Sequence, residues 1–156
     1  MPLGILAFIV YPKHLYINIY DGRFLLIYLL VTTKITDIAG YFFGKSFGVK
    51  KLCSKVSPNK TIVGTVAGIF FSTIISICFF YLAKILKTQN FPFTLATSVI
   101  LGILMGVVGQ MGDLCESLLK RDANIKDSNT IPGLGGMLDM LDSLLFTIPL
   151  LYFFLN

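Results

Sequence analysis

The sequence predicts an all-α fold: a polytopic membrane helical bundle of about four transmembrane helices with a short N-terminal apolar stub. Three observations predict it. Of 156 residues, 55% are apolar and only 13% are charged, about half the roughly 25% of a soluble domain. Mean hydropathy is +0.81. The apolar residues also gather in four runs, and a hydrocarbon core about 30 Å thick takes roughly 20 helical residues to cross. This composition excludes an ordinary soluble globule, a disordered tail and a nucleic-acid arm, so no nucleic-acid partner is expected. The length suits about one domain, and residues 1–156 are read as a single membrane domain. Cys53, Cys78 and Cys115 lack metal spacing and cannot all pair, which disfavours a disulfide or zinc framework.

The first span is Phe24 to Phe43, with Lys34 and Asp37 inside it. The second, Ile62 to Ala83, carries no charge. The third starts at Leu95, crosses by about Gly112 and can continue as helix to Arg121. The last runs from Met137 to Leu155. Its Ser143–Leu155 portion is too short to cross, so Asp139 and Asp142 belong to its first turns. Met1 to Val10 is apolar but too short to span, and no basic segment precedes it as in a signal peptide.

Charge orients the chain. Lys45, Lys50, Lys51, Lys55 and Lys60 lie between the first two spans with no acid among them; Lys120, Arg121 and Lys126 lie between the last two. An even number of crossings separates these segments, so they share one side. The positive-inside rule makes that side cytoplasmic, and the expected location is the cell inner membrane. Taken alone, the Lys45–Lys55 cluster reads as a topology signal or a contact with anionic lipid.

The chain has eight acidic residues, and six of them fall between positions 113 and 142. Carboxylates near hydrocarbon are costly and mark functional sites by default. Asp113, Ser117 and Lys120 recur at helical spacing on one face, as do Asp139 and Asp142, and Asp37 with Gly40 and Gly44. Gly40 and Gly44 have the spacing that lets membrane helices approach closely. The simplest arrangement gathers Asp37, Asp113, Asp139 and Asp142 around one cytoplasmic-side cavity. Clustered carboxylates call for a hard divalent cation, and Mg²⁺ commonly binds one or two carboxylates together with substrate phosphates. Glu116 and Asp122 read as solvated or locally paired. The glycine-rich Pro132–Gly136 run precedes a helix start, where a phosphate is welcome. Together these features point to phosphoryl or nucleotidyl transfer.

Other motifs fail. The stretch Ala39–Ser46 lacks the first glycine of a P-loop and has three bulky aromatics in the cradle. Asn59-Lys60-Thr61 matches a glycosylation sequon on the wrong side of the membrane. His14 is the only histidine and lies far from the acids, so a histidine-based triad is disfavoured.

Ser117-Leu-Leu-Lys120-Arg121 through Lys126-Asp127, Pro132-Gly-Leu-Gly-Gly136 and Asp139-Met-Leu-Asp142-Ser143 resembles the C-terminal signature of the phosphatidate cytidylyltransferase (CDP-diacylglycerol synthase) family. Gln110-Met-Gly112-Asp113 resembles the block before it. Asp37-Ile-Ala-Gly40 through Gly48, followed by Ser57-Pro58-Asn-Lys60-Thr61, resembles the central blocks. The matching covers roughly residues 33 to 143 in the family's order.

The resemblance implies a Mg²⁺-dependent membrane enzyme that makes CDP-diacylglycerol and pyrophosphate from CTP and phosphatidate, with membrane lipids around it. It implies Asp113, Asp139, Asp142 and Asp37 as metal ligands. Lys120, Arg121, Lys126 and Asp127 become catalytic candidates, the basic ones as phosphate clamps. Ser57, Lys60, Thr61, Ser117, Gly135 and Gly136 become substrate contacts. It also implies a longer architecture of which this chain is the C-terminal catalytic half, working with an N-terminal half; the Gly40–Gly44 spacing separately allows a homodimer. Leu134 stands where the family usually has His, Met140 where it has Arg, and Val63 where it has Glu. Those differences support an alternative reading as a non-catalytic or split lipid-binding subunit derived from the enzyme.

Overall fold

The computed structural model describes residues 19–53, 56–86, 92–122 and 135–155, with side chains left out of the description at 19–22 and 135–141. Its order is helix α1 (Ile19–Phe47), strands β1 (Lys51–Cys53) and β2 (Ser57–Thr61), then helices α2 (Ile62–Ile85), α3 (Leu95–Asp122) and α4 (Gly135–Leu155). Among the described residues, Arg23–Phe47, Ile62–Ile85 and Leu95–Asp122 are long and apolar enough to cross a membrane, and Asp142–Leu155 is a shorter apolar helical stretch. The chain is an integral membrane protein built as a helical bundle.

The helices run longer than their apolar cores. α1 continues past Phe43 to Phe47, its last turn carrying Lys45, a charge that suits a helix C-terminus. α3 does continue beyond Gly112, reaching Asp122. At 1.5 Å per residue its 28 residues measure about 42 Å, longer than the hydrocarbon core. Measured from Leu95, a core about 30 Å thick ends near Asp113. Asp139 and Asp142 both fall within α4, which starts two residues earlier than Met137 and contains Pro149.

α1 packs mainly on α2, α2 on α3 and α3 on α4, and α1 closes the bundle against α3 and α4. One half of the bundle is an apolar core of Leu25, Tyr28, Leu29, Phe93, Leu101, Met105, Leu144, Ile148 and Leu151. Several polar groups within the bundle are matched across helices. Ser72 Oγ donates to Gly102 O at 2.7 Å and Ser76 Oγ to Ser98 O at 2.6 Å, while Tyr28 and Ser76 hydroxyls meet at 2.8 Å. Such bonds tie membrane helices together where burial in lipid adds no driving force.

The other half is polar and is organised by a feature the sequence reading did not anticipate. β1 and β2 form an antiparallel pair, Lys51 opposite Thr61 and Cys53 opposite Ser57. The hairpin turns at Val56, whose N–H donates to Cys53 O at 3.2 Å, and Ile62 N–H closes onto Lys50 O at 3.1 Å. β2 also touches α1, α2 and α3, so the Lys-rich segment folds back over the bundle end. Arg121 Nε reaches Val56 O at 3.5 Å. The two basic segments therefore meet at one end, as their even separation in crossings requires.

Candidate active site

Close helix approach builds the site. Gly40 and Gly44 of α1 face Gly64 of α2: a methyl on Gly64 would overlap the Gly40 carbonyl and come within 3.0 Å of Gly44 Cα. This is the close packing their spacing predicts. On the other side of the site, a methyl on Gly112 of α3 would sit 2.6 Å from the Asp142 carbonyl of α4. That approach brings the carboxylates of α3 and α4 together.

One carboxylate oxygen from each of Asp113, Glu116 and Asp142 lies within 4.8 Å of the others. Asp37 joins from α1 through Ser143, whose hydroxyl lies 3.0 Å from Asp142 Oδ1 and 3.5 Å from Asp37 Oδ2. Asp37 also lies 3.9 Å from Lys34 Nζ. Asp139 is in α4, three residues before Asp142, and its side chain lies outside the described residues.

Two further lysines face the carboxylates. Lys60 of β2 is ion-paired with Asp113, and Lys120 with Glu116 at 3.0 Å. Glu116 is thus paired locally as expected, yet it is buried at 8% exposure and stands within reach of Asp113 and Asp142. Its helical neighbour Lys120 made it look like a surface pair; the burial comes from packing across the bundle.

A cavity of about 230 Å³ opens beside the acids, lined by Asp37, Gly40 and Tyr41 of α1, Ser57 to Thr61 of β2 except Pro58, and Gln110 and Asp113 of α3, with Thr36, Gly64 and Thr65 completing the wall. Gln110 Nε2 donates to Thr65 O at 3.0 Å, holding α3 to α2 there. Ser57, Asn59, Ser117, Lys120 and Arg121 line a second pocket of about 350 Å³. A third, also about 350 Å³, is lined by Tyr41, Gly44, Lys45, Gly48, Lys51, Asn59 and Thr61. Asn59 borders all three, a role that no spacing in the sequence signals.

The expected residues thus divide. Asp37, Ser57, Lys60, Thr61 and Asp113 share the central cavity, with Asp142 against Asp113; Ser117, Lys120 and Arg121 stand in the adjoining pocket. Thr61 has a structural task as well. Its Oγ1 accepts from Gly64 N–H at 3.2 Å, capping α2, and lies 3.4 Å from Gly44 O. A hydroxyl residue directly before an apolar helical run is the sequence signal for such a cap. Gly135 and Gly136 are the first residues of α4. Lys126 and Asp127 lie outside the described residues, as does the loop position Leu134.

Hard oxygen donors from three carboxylates, drawn together at the membrane edge, are a donor set suited to Mg²⁺. Hydroxyls, the amides of Asn59 and Gln110, and the basic groups of Lys60, Lys120 and Arg121 stand around them.

The sequence pattern of the cytidylyltransferase family matches residues 1–156. The chain is 44% identical over 153 residues to the phosphatidate cytidylyltransferase of Chlamydia pneumoniae, covering 98% of this chain and 48% of that protein. It is 47% identical over 135 residues to the enzyme of that name from Chlamydia muridarum, covering 85% of this chain and 43% of the relative. For Bacillus subtilis the figures are 40% over 135 residues, 86% and 48%. The chain spans about half the length of the curated relatives it matches.

Proposed function

This chain belongs to the cytidylyltransferase family, and on that premise we propose that it carries the catalytic site of a phosphatidate cytidylyltransferase. The reaction joins CTP and phosphatidate into CDP-diacylglycerol with release of pyrophosphate. The observation that carries the reading is the convergence of Asp113, Glu116 and Asp142 beside Lys60 at the polar end of a membrane bundle. The relatives' names supply the substrates.

A phosphate oxygen of phosphatidate attacks the α-phosphorus of CTP. A phosphorus–oxygen bond forms there as the bond to the β-phosphate breaks, and its electrons leave on pyrophosphate. The nucleophile is already anionic near neutral pH, so no strong base is required, in keeping with a site that has no histidine among the described residues. The obstacle is repulsion between two anions, and positioning with charge compensation does most of the work in such transfers. Asp113, Glu116 and Asp142 would hold Mg²⁺, with Asp37 alongside from α1 and Asp139 one turn before Asp142 in α4. When bound, that ion supplies neutralisation and orientation of phosphate oxygens. Lys120 and Arg121 take the charge of the departing pyrophosphate, a role Lys126 would share, while Asp127 remains an acidic candidate that does not compensate that charge. Lys60, Ser57 and Ser117 bind phosphate oxygens, and Asn59 orients them between pockets. Gly135 and Gly136, at the start of α4, let phosphate approach its backbone N–H groups. The site faces the cytoplasm of the inner membrane, following the Lys-rich loops.

The test is turnover of purified protein in detergent with Mg²⁺, phosphatidate and labelled CTP. CDP-lipid is expected, and Asp142→Asn, with its helix content and thermal transition retained, is expected to abolish it. Undiminished turnover in that variant rejects the site.

A further inference from the structure

We propose that the pocket between Lys45 and Lys51 is the subsite for the phosphomonoester headgroup of the lipid reactant, separate from the Ser117–Lys120–Arg121 pocket that holds nucleotide phosphates. The assignment rests on the proposed reaction and specifies how its two anionic substrates divide the three adjoining pockets.

Three observations argue for it. The first is charge. The pocket's lining carries two lysines and no carboxylate, and among the described residues neither lysine forms an ion pair. Lys60 and Lys120, by contrast, are each held by an acid. Lys45 lies 5.7 Å from the centre of the Tyr41 ring, which positions its stem without neutralising its head. Two such ammonium groups match a phosphomonoester, which carries between one and two negative charges at neutral pH.

The second is position in the bilayer. Lys45 is in the last turn of α1, at the end of the Arg23–Phe47 span, where long basic side chains reach for headgroups. Tyr41, Phe42, Phe47 and Val49 alongside are 68%, 61%, 66% and 90% exposed. A ligand here has its charged end among lysines and an apolar flank beside it. That suits a lipid with acyl chains; a nucleotide has nothing to place on that flank.

The third is local polarity. A helix C-terminus normally repels anions through its free carbonyls. Here Gly44 O, in the pocket wall, accepts from Gly48 N–H at 3.0 Å and faces the Thr61 hydroxyl at 3.4 Å, which blunts that repulsion. Tyr41, Asn59 and Thr61 border both this pocket and the central cavity, so a headgroup seated here adjoins the place where reaction would occur.

The experiment compares wild type with Lys45→Ala/Lys51→Ala and Lys45→Arg/Lys51→Arg in mixed micelles. The alanine pair is expected to raise the KM for phosphatidate about tenfold while KM for CTP stays within twofold, and the arginine pair to restore it. Equal loss for both substrates, or for neither, overturns the assignment. Binding of spin-labelled phosphatidate, phosphatidylglycerol and phosphatidylcholine to the same proteins gives a second readout that needs no turnover. Preference for phosphatidate, lost in the alanine pair, supports the subsite. Equal binding of phosphatidylglycerol marks a general anionic-lipid contact and overturns it. If wild type turns over no CTP yet shows that preference, the reaction fails and the lipid-phosphate site stands. Retained circular dichroism and elution volume establish that the variants are folded.

Discussion

Lys60 and Asp113 form an ion pair that ties the β-hairpin to α3. Their side chains are 22% and 33% exposed, but the Lys60 ammonium nitrogen itself is buried, so water screens the pair only in part. Removing Lys60 leaves Asp113 uncompensated beside two other carboxylates, and removing Asp113 leaves a buried ammonium without its paired acid. Lys60→Met and Asp113→Asn are each expected to lower stability by about 1–2 kcal/mol, less than the roughly 3–5 kcal/mol for a fully buried pair. The double variant is expected to recover part of that loss while remaining inactive. Unfolding in mixed micelles, with CDP-lipid formation measured in parallel, checks both halves. Additive losses would mean that the two residues act independently.

Thr61 separates capping from substrate contact. Its Oγ1 accepts from Gly64 N–H at the start of α2. Thr61→Ala is expected to cost about 1 kcal/mol, the usual loss of an N-cap, and Thr61→Ser to keep most of it. A thermal transition in detergent reads this directly. Unchanged stability in the alanine variant would remove the cap from the account and leave Thr61 as a cavity residue alone.

Part of this arrangement is legible in the sequence. The four apolar runs specify the helices because length and hydropathy decide whether a segment crosses lipid. Asp37, Asp113 and Asp142 stand out because acids are rare in such sequence. The hairpin was not legible: β1 has three residues and β2 reads Ser-Pro-Asn-Lys-Thr, with no alternation and a proline. It is held by pairing and by contact with three helices, which are tertiary facts. The burial of Glu116 is hidden from the sequence for the same reason. Its spacing from Lys120 is that of a solvent-exposed pair, and only packing against the neighbouring helices buries it beside Asp113 and Asp142.

The glycines give a contrast within one crossing. A methyl at Gly40 would lie 3.5 Å from Gly64 O, an ordinary contact, whereas one at Gly64 would overlap the Gly40 carbonyl. Gly40→Ala is therefore expected to change stability little. Gly64→Ala is expected to cost about 1–3 kcal/mol, the range for forcing extra volume into a packed interface. Equal effects of the two substitutions, read by unfolding in mixed micelles, would argue against the α1–α2 geometry.

Glu116 decides which acids serve the metal. If its carboxylate is a ligand, Glu116→Gln keeps shape and size but removes a charge from the set, and the Mg²⁺ needed for half-maximal turnover is expected to rise about 10–100-fold, the range seen when groups supporting a metal are removed. Excess Mg²⁺ would then restore much of the rate. If Glu116 only holds Lys120 in place, the charge that matters is the lysine's. Lys120→Met would then reproduce the loss, with no change in Mg²⁺ requirement and with a raised KM for CTP. Mn²⁺ binding followed by electron paramagnetic resonance distinguishes the two without turnover, because only the ligand role predicts weaker binding in Glu116→Gln. The 3.0 Å contact to Lys120 fits either role in the absence of metal. The proximity of Asp113 and Asp142 favours the ligand, since two paired lysines against three clustered carboxylates leave repulsion for a further cation to offset.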